Sequence, residues 1–137
     1  MTVEGTTWKS LIIATIASGI GMWIVGGLWH NLILPRVNST LEAHHEGIGI
    51  MLVAYICLSF LMAYLYWKIN NHTHTVFNGM KLGVIIGVLW VFPHGIAMAG
   101  IHQTAIGYEF KNTLYHMFEQ GVGGIIISTI FGYFTKK

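Results

Sequence analysis

Four blocks of this sequence, at about residues 8–34, 47–69, 80–101 and 113–134, each run for more than 20 residues with almost no charge. Away from the first and last two residues, no block contains an Asp, Lys or Arg, and only the fourth contains a Glu, Glu119. A helix crosses a bilayer with roughly 20 mainly apolar residues, whereas a membrane β-strand uses about 9–11 with alternating polarity. The blocks are too long and too uniformly apolar for strands. Only 9% of the residues are charged, against about 25% in an ordinary soluble domain, which leaves too little charge to coat a water-facing surface. The expected fold is therefore all-α: a polytopic membrane protein, one domain over residues 1–137, with four transmembrane helices bundled in a lipid bilayer.

The first block opens with Glu4 and a single Lys9 rather than a basic run, and its apolar stretch exceeds that of a cleavable signal, so it reads as a retained first helix. Four spans place both termini on one side. Lys9, Lys68, Lys81, Lys136 and Lys137 fall on that side, against Arg36 and Lys111 on the other. The excess of basic residues predicts cytoplasmic termini in a cell inner or plasma membrane. Pro35 ends the first helix, the outer loops cover about 35–46 and 102–112, and the inner loop covers 70–79. Trp8 and Trp67 fall near the inner interface, where amphipathic aromatics are favoured. The lone cysteine, Cys57, excludes an internal disulfide and a CxxC motif. A net charge of +2 without a basic run gives no reason to expect nucleic acid.

Glycine recurs inside the spans, at Gly19, Gly26 and Gly27, at Gly83 and Gly87, and at Gly121, Gly123 and Gly124. Small residues let membrane helices approach closely, so these positions mark packed faces. The histidines follow a second pattern. His30, His44, His45, His94, His102 and His116 all fall towards the outer side, and only His72 and His74 towards the inner. His30 continues a stripe of Gly19, Trp23 and Gly26; His94 continues one of Gly83, Gly87 and Trp90. His116 and Glu119 lie three apart and share a face of the fourth helix. Ionisable groups in a membrane usually face the protein interior or a wet cavity. His30, His94, His116 and Glu119 are thus expected to converge in the outer half of the bundle, with His45 and His102 as weaker members above them.

Imidazole and carboxylate form a ligand set for copper, zinc or iron, and nearby thioethers at Met51, Met98 and Met117 tilt it towards Cu(I). Paired histidines can hold haem axially. A His/Glu chain can also relay protons, because free imidazole titrates near neutral pH. None of these patterns is specific. His116-x-x-Glu119 lacks the second such motif of a carboxylate di-iron bundle, and His94 and His102 are two helical turns apart. Against all three stands the plain alternative that each histidine only bonds a backbone or a neighbouring helix.

The segment Gly27-Leu-Trp-His-Asn-Leu-Ile-Leu-Pro35 and the stretch from Leu114-Tyr115-His116 to Gly123-Gly124 resemble a family of small four-helix prokaryotic membrane proteins of unknown function. The resemblance implies the fold and the membrane location, and no activity. Three functional expectations stand together: a His/Glu site near the extracytoplasmic face for a metal, haem or protons; a non-catalytic accessory or assembly subunit; and a small-solute carrier. A homo-oligomer or a membrane-complex partner is expected, and the carrier reading calls for an oligomer because four short helices enclose little space.

Overall fold

The computed structural model of the protein describes residues 3–29, 45–70, 74–103 and 105–135. It contains four helices, α1 (Val3–Leu28), α2 (His45–Ile69), α3 (Val76–His102) and α4 (Ile106–Thr135). Trp8–Leu28, Gly49–Ile69 and Val76–His102 are long and apolar enough to cross a membrane. Their outward faces carry the bulky residues that lipid requires. Ile12, Ile16, Ile20 and Ile24, at a four-residue spacing along α1, are all exposed.

The fourth helix is not among these apolar spans, and its burial explains why. Thr113, Glu119, Gln120 and Ser128 lower its hydropathy, yet all four are buried. These four polar residues of α4 face protein, while Lys111 and Thr129 are exposed. The helix also begins at Ile106, so most of the expected outer loop at 102–112 is helical. Helix α3 ends on Gln103, whose backbone is left-handed at φ 53° and whose N–H bonds Ala99 O.

Two kinds of packing hold the helices. Leu11, Ala14 and Met22 of α1, Met62, Ala63 and Tyr66 of α2, and Ile127 and Phe131 of α4 form one apolar core. Helix α3 adds no fully buried residue to it and reaches it only through the partly buried Leu82 and Ile86. Its buried face is Gly79, Gly83, Gly87, Val91, Gly95 and Ala99, a four-residue repeat of small side chains laid directly on α4. A Cβ at Gly79 would collide with Gly124 O, one at Gly83 with Gln120 O, and one at Gly87 would lie 2.8 Å from His116 O. These pairs fix an antiparallel register. Close backbone approach substitutes here for the hydrophobic drive that lipid removes.

Serines join the remaining helices. Ser59 Oγ donates to Thr15 O at 2.8 Å, and Ser18 Oγ to Gly123 O at 3.0 Å. At the end near the α1 N-terminus, His74 packs on Tyr66 and Phe131, and Trp8 lies 6.0 Å from Trp67. Helix α4 thus has α3 on one side and α1 on another, while α2 and α3 barely meet. That gap shapes the site.

Candidate functional site

Glu119 occupies the middle of α4 and is fully buried. Its carboxylate meets three side chains. Tyr55 Oη of α2 donates to Oε1 at 2.7 Å, and Tyr115 Oη, one turn earlier on α4, donates to the same oxygen at 2.6 Å. His116 Nδ1 lies 2.8 Å from Oε2. A buried carboxyl is costly unless its lone pairs are used; here both oxygens are engaged. The roof over this cluster is Gly26 of α1, where a Cβ would lie 2.5 Å from Tyr55 Oη and 2.9 Å from Glu119 Oε1. Only a residue without a side chain leaves room for the hydroxyl and carboxylate beneath it. Trp29 closes one flank by stacking on Tyr115, with ring centroids 4.6 Å apart.

A cleft of about 280 Å³ opens between α2 and α3, above α4. His116 belongs to both places. Its Nδ1 is held by Glu119, its ring lines the cleft, and its side chain is 24% exposed. Gln120 lines the same cleft; it is buried, and its Oε1 has no hydrogen-bond partner. Trp90, His94 and Asn112 complete the polar and aromatic part of the wall.

The expected residues separate on this frame. His116 and Glu119 are paired, as their spacing implied. His94 lines the cleft but is exposed, and it does not continue the glycine stripe. The buried repeat advances by four residues, Gly87 to Val91 to Gly95, which leaves Trp90 and His94 beside it on the open face. In the α3–α4 register His116 is level with Gly87, and Gly95 with Glu109. His94 therefore stands about seven residues, roughly 10 Å, along the axis from His116, rather than at the shared depth expected of it. His102 is exposed at the end of α3, and Met51 is exposed on α2. His45 begins α2, but its side chain, like all of His30 and His44, lies outside the described residues. Among the described residues no group of three or more His, Cys, Asp or Glu side chains is placed to hold a metal ion.

Tyr55, Tyr115, Gly26 and Gln120 were not singled out as site residues. Tyr115 carried a signal, being four residues before Glu119 and so on its face. Tyr55 carried a weaker one: a phenol at mid-span rather than at an interface, where its hydroxyl needs a partner.

Fold and site together define a class: an all-α four-helix protein of membrane character, with a buried glutamate held by two tyrosines and connected to an open cleft by one histidine. No family model, no curated protein and no solved structure matches the chain.

Proposed function

We propose that this is a four-span membrane protein in which Glu119 and His116 form a proton-binding site that exchanges with the cleft. The observation that carries the reading is the bridge at His116: one ring nitrogen lies 2.8 Å from a carboxylate with no exposure, while the same ring borders the cleft. A proton on Glu119 can pass to His116 without crossing apolar space, and Tyr55 and Tyr115 hold the carboxylate in place for it. Among metal, haem and proton handling, the geometry favours protons, because both Glu119 oxygens are already engaged by protein groups.

The fourth span is part of the proposal. Helix α4 has 30 residues, about 45 Å at 1.5 Å per residue. It lies antiparallel against α3 from Gly79 to Gly95, so a membrane that contains α3 contains α4. Cytoplasmic termini, an inner or plasma membrane location and an oligomeric or complexed state belong to the same proposal. So does membership of the small four-helix prokaryotic family, on residues 27–35 and 114–124.

Infrared difference spectroscopy on the reconstituted protein tests the site. A carboxyl C=O band is expected to respond to external pH, to vanish in Glu119→Gln, and to respond on the order of 10²-fold more slowly in His116→Phe, which removes a proton carrier. A band in the unmodified protein that ignores external pH overturns the proposal. The accessory-subunit reading, with Glu119 as helix glue, then takes its place.

A further inference from the structure

We infer that the cleft between α2 and α3 is a binding site for a neutral, lipid-soluble hydroxylated ring, a molecule of the quinol class. The inference deepens the proton-site reading, since His116 serves both.

Four observations select the ligand. First, no Lys or Arg lines the cleft among the described residues. Phosphate and carboxylate groups are recognised by such cations, so a phospholipid headgroup or other anion lacks a partner here. Second, the carboxylate of Glu119 is saturated by Tyr55, Tyr115 and His116, so a cation finds no open counter-charge. Third, one wall is apolar, from Leu58 and Val91, and another is aromatic, from Trp90. Those walls suit a flat apolar body. Fourth, Gln120 lines the cleft, and its Oε1, sealed just behind the wall, accepts no hydrogen bond. An unmet buried acceptor is expensive, and a turn of the amide towards the cleft lets a ligand hydroxyl donate what it lacks. His116, whose Nδ1 is committed to Glu119, offers its other ring nitrogen to a second hydroxyl or carbonyl.

Size and access agree with this choice. About 280 Å³ is near the small end of ligand sites, which start at roughly 300 Å³, and matches one ring rather than a fused system. Val53 on α2 and Leu89 on α3, each next in sequence to a residue that lines the cleft, are both more than 60% exposed. A molecule dissolved in the hydrocarbon layer enters sideways between the two helices, because those helices barely meet.

Tryptophan quenching by decylubiquinol and by decylubiquinone, with the protein in lipid nanodiscs, provides the test. Saturable quenching above the linear background of dissolved quinone is expected. Ala54→Phe fills the cleft and keeps every tryptophan, so it should abolish the saturable part. Gln120→Leu should weaken quinol binding about tenfold, the scale of one lost hydrogen bond, and weaken the quinone less, since the quinone has no hydroxyl to donate. Both variants are first checked for unchanged helical circular dichroism. Purely linear quenching, or saturable quenching that survives Ala54→Phe, overturns the inference. The Glu119 infrared band is read on the same samples. A pH-responsive band without saturable quenching fails the ligand and leaves the proton site, whereas a silent band with saturable quenching does the reverse.

Discussion

Gly26 is the residue on which the buried cluster depends most directly. Its neighbours are two phenol oxygens and a carboxylate oxygen, all within 3.2 Å of where a Cβ would stand. None of them can retreat freely, because the hydroxyls are committed to Glu119 and Trp29 backs Tyr115. Gly26→Ala should therefore destabilise the detergent-solubilised protein by about 1–3 kcal/mol, the usual cost of overpacking, seen as a lower Tm. Gly27→Ala is the control, since a Cβ there meets nothing within 4 Å; equal losses for both would show that the cluster does not need its roof. Of the site, the His116–Glu119 pair was legible in the sequence, because helical spacing alone places residues three apart on one face. Tyr55 was not, because its partnership with Glu119 joins positions 64 residues apart and no local period encodes it.

At the scale of the element, α3 shows how a glycine stripe acts. Gly83 sits against the backbone of Gln120 and Gly121, while Gly100, on the same helix, faces open space. In a helix, Ala is better than Gly by up to about 1 kcal/mol. Gly100→Ala should thus leave thermal stability unchanged or raise it slightly. Gly83→Ala should lower it by several degrees, because the α3–α4 backbones must separate. Melting curves in which the two substitutions behave alike would argue that α3 is not held by this face. Gly83 and Gly87 were readable as packing residues, whereas Gly27, expected on a packed face, would meet nothing within 4 Å of a Cβ; the position of His94 was not readable. Gly83 and Gly87 fit a stripe through Trp90 and His94 as well as one through Val91 and Gly95, and only the chosen crossing with α4 separates the two.

For the whole molecule, the question is how many helices cross. Three are apolar enough alone; on the proposed four-span reading, α4 crosses by lying along α3. On that reading four crossings return the chain to its starting side, which the Lys/Arg bias predicts to be the cytoplasm. A reporter fused after Lys137 should be active in the cytoplasm, and one inserted near Arg36 only outside it. A C-terminal reporter active only outside would mean three crossings if the Arg36 reporter is also outside, and an inverted four-span topology if the Arg36 reporter is cytoplasmic.

The sequence by itself determined the helical class, the three apolar helices and the His116–Glu119 pair. Each of these depends on local quantities: apolar length, charge depletion and the 3.6-residue turn. Only the tertiary structure decided that α4 buries Thr113, Glu119, Gln120 and Ser128, that Tyr55 and Gly26 enclose Glu119, and that a cleft remains between α2 and α3. Those features depend on which helix faces meet. In lipid that choice rests on close backbone approach and on satisfying buried polar groups between distant segments, which a pattern of apolar residues does not record.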